Sequence, residues 1–151
     1  MVALVIACIY LLLACIHVYW VLGGELGKDA AIPRVPRSPE AARGPAGPDM
    51  VPAFTPSRGG TLLVAAALAA VAGMVWARAG LASAPYTGQA LQWAIGVVAV
   101  LMLARAVGDF RLVGFFKRIT GSPFARLDTR VYSPLCLALG AGLAYVAIAA
   151  P

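Results

Sequence analysis

A histidine lies deep inside the first apolar stretch of this chain. His17, the only histidine, is about five residues from the end of that stretch. In a helix with a rise of about 1.5 Å per residue, this places it roughly 8 Å from the helix end. An ionisable side chain at that depth is a candidate functional residue. The alternative interpretation is a neutral histidine that forms a hydrogen bond with a neighbouring helix.

A second set of charged residues surrounds the end of the third apolar stretch. Arg105 and Asp109 are four residues apart, which predicts that both lie on one helical face. Arg111 follows closely. An arginine inside an apolar stretch is costly unless it is paired or reaches a polar interface. Two interpretations stay open: a structural ion pair that anchors the helices, or a cationic pocket for an anionic headgroup or carboxylate.

Aromatic and basic residues alternate in the segment that follows. Residues 110–124 contain four of the five phenylalanines, together with Arg111, Lys117 and Arg118. Such a segment can lie in the plane of a membrane interface, with its rings among the acyl chains and its cations on phosphates. The alternative is that the long basic side chains simply reach the interface without recognising a lipid.

Patterns typical of metal, nucleotide or hydrolase chemistry are absent from the sequence. Cys8, Cys15 and Cys136 lie inside apolar stretches and form no C-x-x-C pair, so we interpret them as small helix residues. There is no Walker loop, G-x-S-x-G or H-E-x-x-H motif. We therefore predict no metal site and no cofactor, and the sequence leaves open whether the chain is an enzyme.

Four membrane helices are the elements that must position these residues. Of the 151 residues, 62% are hydrophobic and 12% are charged, whereas an average soluble domain is about 25% charged. A soluble fold could not hide so much apolar surface. A membrane-spanning helix needs roughly 20 mostly apolar residues. The sequence predicts an all-α integral membrane protein, a single domain built as a four-transmembrane-helix bundle, with helices at 2–22, 61–77, 91–107 and 134–150.

The connections between these helices differ in character. Residues 25–60 contain seven prolines, which predicts an irregular or polyproline-like loop. Residues 108–133 form a basic aromatic loop. Ser133 followed by Pro134 predicts an N-cap and the first position of the fourth helix. The glycine pair at residues 59 and 60 is interpreted as a helix end, and Gly140 and Gly142 indicate close helix packing.

The basic residues indicate an orientation. Of the twelve lysines and arginines, only Arg78 lies near the second loop. The positive-inside rule then predicts that loops 25–60 and 108–133 are cytoplasmic and that both termini lie outside, in a bacterial plasma membrane. The net charge of +6 predicts contact with anionic membrane lipids and not with nucleic acid.

Three sequence blocks support a family resemblance. HVYWVLGG at 17–24, RAVGDFRLVGFFKR at 105–118 and SPFARLDTRVYSPLCLALG at 122–140 resemble a family of small bacterial four-pass membrane proteins, the domain of unknown function 3995 family. The resemblance implies a four-helix membrane domain without an established activity. It also implies that seven residues belong to one site, namely His17, Trp20, Arg105, Asp109, Arg111, Asp128 and Tyr132.

Three functions remain in competition. The leading hypothesis is a module that binds an amphipathic anionic ligand or lipid at the cytoplasmic side, with Arg105 and Arg111 on the anion and His17, Trp20 and Tyr132 along the wall. The first rival is an intramembrane enzyme, of isomerase or cyclase type, that acts on a lipid or isoprenoid, with Asp109 or Asp128 as acid or base beside His17. The second is an accessory subunit of a larger membrane complex, or a small transporter that acts as a homo-oligomer, marked by exposed small residues on the second and fourth helices.

Overall fold

Four long apolar helices dominate the protein. The computed structural model describes residues 1–37, 49–81 and 88–149. Each of the four helices found there is long and apolar enough to cross a membrane, which confirms the predicted all-α four-helix bundle. They are α1 (Val2–Val21), α3 (Arg58–Arg78), α4 (Gln89–Val107) and a fourth span (Pro123–Ala149).

Short elements complete the described part of the chain. Between α1 and α3 lie the single-turn helix α2 (Lys28–Ala31) and the strands β1 (Arg34–Pro36) and β2 (Met50–Pro52). The fourth span consists of α5 (Pro123–Leu127), a π-helical turn (Asp128–Tyr132) and α6 (Ser133–Ala149). A π-helical turn is rare and often marks a functional or strained position.

The long helices pack as two pairs. Helix α1 packs mainly on α3 and α4 mainly on α6, and the pairs meet around a core that includes Tyr10, Ile95 and Leu143. Two glycines of α6 allow close approach, because a Cβ atom at Gly140 would lie 2.8 Å from Leu103 Cγ and one at Gly142 would lie 2.6 Å from Ile6 Cδ1. The close packing predicted from these glycines is therefore present.

The proline-rich connection is more ordered than its composition predicted. Strands β1 and β2 pair antiparallel, with Val35 opposite Val51. Proline is tolerated there because Pro36 and Pro52 each stand at the end of a strand in a two-stranded sheet, where few ladder hydrogen bonds are needed. The expectation of an irregular loop is wrong for these residues. Pro39, Arg43, Pro45 and Pro48 lie outside the described residues.

The predicted start of the fourth helix is also wrong. Ser122 is the N-cap, since its Oγ accepts a hydrogen bond from the N–H of Ala125 at 3.0 Å, and Pro123 occupies the first turn. Ser133 lies inside the span, where the π-helical turn lets its N–H bond to Asp128 O. Proline normally clashes with the carbonyl four residues earlier. The widened turn directly before Pro134 is the local change that accompanies this proline inside a helix.

Candidate functional site

The charged residues gather at one end of the bundle, which we call the basic end. There α1 ends at Val21, α3 begins at Arg58, α4 ends at Val107 and the fourth span begins at Pro123. Two different features lie at this end: a buried ion cluster between α4 and the fourth span, and an open cavity between α1 and α3. The family resemblance implied a single site in their place.

Asp128 is the centre of the ion cluster. Its Oδ1 accepts from Arg105 Nη2 at 2.7 Å, and its Oδ2 lies 2.9 Å from Lys117 Nζ. The N–H of Gly114 also donates to Oδ2, at 2.8 Å. The side chains of Asp128 and Lys117 are 0% and 2% exposed. Charges so deeply buried persist only when each is paired and hydrogen-bonded.

Lys117 is fully satisfied within this cluster. Besides Asp128, its ammonium group donates to Gly114 O at 2.8 Å and to Thr129 Oγ1 at 2.7 Å. Three donors therefore meet three acceptors. The cluster ties the connection after α4 to the start of the fourth span. Arg105, predicted to bind an anionic ligand, instead pairs with a carboxylate of this chain that it shares with Lys117.

Asp109 is not the partner of Arg105. Helix α4 ends before it, and its Oδ1 accepts from the N–H groups of Arg111 at 2.9 Å, Leu112 at 2.7 Å and Val113 at 3.0 Å. Burial alone would raise the pKa of Asp109, but the three backbone hydrogen bonds outweigh it and hold this pKa below its usual value. The predicted helical Arg105–Asp109 pair is therefore wrong.

Glycines cause the helix to end there. Gly108 has a φ of +98° and Gly114 a φ of +89°, values that L side chains rarely adopt. A Cβ on either one would overlap the backbone at the other. The chain therefore folds back on itself directly after α4, which carries Asp109 away from the helical face of Arg105.

The cavity lies between the adjoining ends of α1 and α3. It measures about 450 Å³. Part of its wall comes from α2 and from the segment that leads into α3, so the proline-rich connection contributes to it. Its lining residues are His17, Trp20, Val21, Lys28, Ala31, Ile32, Phe54, Thr55, Pro56, Ser57, Arg58, Gly60, Thr61 and Val64.

Hydrogen bonds fix the aromatic wall of this cavity. His17 Nδ1 donates to Leu13 O at 2.8 Å. Because a carbonyl oxygen only accepts, the hydrogen must sit on Nδ1, and Nε2 is the nitrogen left for a ligand. Trp20 Nε1 donates to Leu26 O at 2.9 Å, and its ring meets the His17 ring edge-on at 5.0 Å.

Lys28 and Arg58 give the cavity its charge. The lining contains no aspartate or glutamate, and neither cation forms an ion pair with a carboxylate of the described residues. Arg58 stands at the first position of α3, where the positive end of the helix dipole disfavours a cation. Neither residue was predicted as a site residue from the sequence. A cation directly before the glycine pair at the start of a predicted helix was the available signal.

The other predicted site residues are dispersed. Arg111 is exposed, and its carbonyl accepts from Ile119 N at 2.9 Å. Tyr132 donates to Ala30 O at 3.3 Å and packs on Phe124 at a ring distance of 5.9 Å, so it connects the fourth span to α2. Of the seven residues implied to form one site, only His17 and Trp20 line the cavity.

The aspartate–histidine pair expected under the enzyme hypothesis is not formed among the described residues. Among residues 1–37, 49–81 and 88–149, no carboxylate lies within 4.0 Å of His17. Asp109 and Asp128 are both occupied, the first with backbone N–H groups and the second with Arg105 and Lys117. The expected partnership of either aspartate with His17 is thus not present.

The four spans and the basic end define an α-helical membrane protein. Its sequence agrees with a known family: residues 10–143 match the one described as "protein of unknown function (DUF3995)". The chain belongs to this family, which confirms the resemblance seen in the three sequence blocks. No curated protein and no solved structure matches the chain.

Proposed function

We propose that the protein is a membrane-embedded binding module that holds an amphipathic anion in the cavity between α1 and α3. The anionic head lies between Lys28 and Arg58, and the apolar part lies against the aromatic and aliphatic wall. One observation carries this proposal. Two cations line a largely apolar cavity at the end of two membrane spans, and neither of them pairs with a carboxylate of the described residues.

The shape of the cavity supports an amphipathic ligand. Its volume of about 450 Å³ lies within the roughly 300–1,000 Å³ typical of small-molecule sites. Val64 lies six residues beyond Arg58 along α3, which is roughly 9 Å at 1.5 Å per residue. The cations therefore lie at the ends of the membrane spans, and the aliphatic part of the lining extends from there toward the interior of the bilayer.

The side of the membrane follows from the same residues. Both connections at the basic end are rich in lysine and arginine, and such connections are retained in the cytoplasm. We propose that the cavity opens to the cytoplasmic leaflet of a bacterial plasma membrane, with both termini outside. Cysteine labelling from outside intact cells tests this, since labelling within 25–37 would contradict it.

Fluorescence titration in a mild detergent tests the binding proposal. Trp20 lines the cavity, so a variant with Trp76→Phe and Trp93→Phe leaves it as the only tryptophan reporter. Dodecyl phosphate and dodecanoate are the anionic probes, and dodecyltrimethylammonium is the cationic one. We expect saturable fluorescence changes with the anionic probes only. No saturable change with any of them, or an equal response to the cation, would contradict the proposal.

Charge variants locate the site in that titration. Lys28→Gln together with Arg58→Gln should abolish the response to the anions. Arg111→Gln is the matched control, because Arg111 is an exposed cation at the same end that does not line the cavity. Loss of binding in the Arg111 variant alone would return the site to the residues that the sequence predicted.

A face of α3 supports a second candidate, an accessory subunit or a homo-oligomer. Ala66, Ala69, Ala70 and Gly73 are exposed and recur at helical spacing, and a Cβ at Gly73 would meet no other atom within 4 Å. Small side chains of this kind allow a second helix to approach. Disulfide cross-linking of a Gly73→Cys variant in membranes, in a background without the native cysteines, tests self-association. A purely monomeric product, with no co-purified polypeptide, would remove this candidate.

A further inference from the structure

We infer that the head recognised in the cavity is a phosphate monoester, so that the ligand class is a singly alkylated phosphate. The inference rests on the proposed binding function and makes its ligand more specific. Its basis is the charge and donor content of the lining, which suits a doubly charged head with three oxygens better than a carboxylate.

Charge matching favours the monoester. The cavity contributes two cationic side chains and no carboxylate. A phosphate monoester carries about −1.5 to −2 at pH 7, so it neutralises both Lys28 and Arg58. A carboxylate or a phosphodiester carries a single negative charge and leaves one cation unmatched when the ligand covers it. An uncompensated charge that is withdrawn from water weakens binding.

The free donors near the head are also numerous. Ser57 Oγ accepts from the N–H of Gly60 at 3.0 Å, so its own O–H can donate to a ligand. Thr61 has its hydroxyl engaged, since it donates to Ser57 O at 2.9 Å. The ammonium of Lys28, the guanidinium of Arg58 and the hydroxyl of Ser57 therefore supply donors for three phosphate oxygens.

A glycine leaves room for this head. Gly60 lines the cavity, and a Cβ there would meet only Ser57 Oγ, at 3.1 Å. A Cβ on the neighbouring Gly59, which does not line the cavity, would meet no atom within 4 Å. Packing within the chain therefore places no demand on Gly59, whereas a Cβ at Gly60 would require Ser57 Oγ to shift by a few tenths of an ångström. Close approach of a ligand to the backbone is a second reason for a glycine, and of these two positions it applies only to Gly60, which lines the cavity.

Matched probes test the head chemistry. Dodecyl phosphate, methyl dodecyl phosphate, dodecanoate and inorganic phosphate are titrated against the protein with Trp20 as the only tryptophan. We expect dodecyl phosphate to bind about tenfold or more tightly than the two singly charged amphiphiles, the ratio expected for one added charge-assisted hydrogen bond. Inorganic phosphate should bind far more weakly because it lacks the alkyl chain.

Variants then test whether the preference for a phosphate monoester arises from Lys28 and Arg58. Lys28→Gln or Arg58→Gln should reduce the monoester preference to near unity, and Arg111→Gln should leave it unchanged. Gly60→Ala should weaken dodecyl phosphate binding more than Gly59→Ala does. Helix content by circular dichroism verifies that each variant is folded.

The outcomes separate two failures. Binding of no anionic amphiphile overturns the proposed function itself. Equal affinity for dodecyl phosphate, methyl dodecyl phosphate and dodecanoate leaves that function standing and overturns the phosphate inference. Equal affinity for inorganic phosphate and dodecyl phosphate supports the phosphate head but overturns an alkylated ligand as its source.

Discussion

The two helix pairs end in opposite ways at the basic end. Between α4 and the fourth span, Arg105 and Lys117 converge on Asp128, which is completely buried. Between α1 and α3, Lys28 and Arg58 line a cavity whose lining contains no carboxylate. The same residue types thus hold the chain together in one pair and line a cavity without a carboxylate in the other. We therefore place the proposed function where the cations have no carboxylate partner among the described residues.

The connections explain this difference. After α4, Gly108 and Gly114 bring the chain back against itself, which places Lys117 within reach of the start of the fourth span. After α1, the connection runs through α2 and a two-stranded sheet before α3 begins. The tight connection closes over its ions, whereas the longer one forms the wall of a cavity. Four predictions test this contrast, each with a matched control variant.

Removal of the Asp128 charge should have the largest effect. Asp128→Asn leaves buried Lys117 and partly buried Arg105 without their anion. We expect a loss of about 3 to 5 kcal/mol in the free energy of unfolding, the range for breaking one partner of a buried ion pair. Unfolding in mixed detergent micelles, followed by circular dichroism, measures it.

The exposed ion pair of the connection provides the control. Arg37 Nε lies 2.8 Å from Asp49 Oδ2, with the two side chains 68% and 62% exposed. Asp49→Asn makes the same chemical change and should cost about 1 kcal/mol or less. Equal losses of unfolding free energy in the two variants would show that the buried ion pairs of Asp128 stabilise the fold no more than an exposed pair does.

The glycine turn after α4 should show the next largest effect. Gly108→Ala forces a side chain into a φ of +98°, which costs about 1 to 3 kcal/mol by itself. The new Cβ also overlaps the backbone of Val113 and Gly114. The same unfolding assay should therefore show a loss at or above the top of that range.

Gly121 separates strain from overlap. Its φ is +94°, but a Cβ there meets no atom within 4 Å. Gly121→Ala should show the conformational cost alone and be the milder variant. If both variants lose the same stability, the close approach of Gly108 and Gly114 has no energetic role.

The two Ser-Pro pairs offer a smaller test. Ser122→Ala removes the N-cap of the fourth span and should cost about 1 kcal/mol. Ser133→Ala should cost nothing or stabilise slightly, because the Ser133 hydroxyl is buried without a hydrogen bond partner in the described residues. The reverse order in thermal unfolding would support the helix start that the sequence predicted.

The sequence was sufficient to predict the four membrane spans and the family. Each span is long and apolar, and that property requires no knowledge of a partner. The start of the fourth span was ambiguous, since Ser122-Pro123 and Ser133-Pro134 carry the same pattern. Only the hydrogen bond to the N–H of Ala125 separates them. The residue types predicted that a Ser-Pro pair begins the fourth span, but they did not predict which of the two pairs does so.

The site could not be predicted from local sequence patterns, for a different reason. Arg105 and Asp109 have helical spacing, yet the true partner, Asp128, is 23 residues away and is reached only because Gly108 ends the helix. Lys28 and Arg58 likewise line one cavity only because the proline-rich connection folds against the helix ends. His17 was a candidate because of its depth in an apolar stretch, and the family resemblance implied that Trp20, on the same helix, belongs with it. Spacing rules predict contacts within an element, and the cavity is built between elements.

The last and smallest effect concerns Asp109, a carboxylate in the connection after α4 that accepts hydrogen bonds from nearby backbone N–H groups. Its pKa in the folded state is held below the unfolded value of about 3.9. Its stabilising contribution is therefore present above that unfolded value and is lost as the pH falls through the folded value. The difference in unfolding free energy between wild type and Asp109→Asn should be constant from pH 7 to about pH 5, and it should shrink as the pH falls below about 4 and through the folded-state pKa of Asp109. Ser122→Ala, which removes no titrating group, should give a difference that does not change with pH. A difference that does not shrink on acidification for Asp109→Asn would mean that its oxygen supports the turn without its charge.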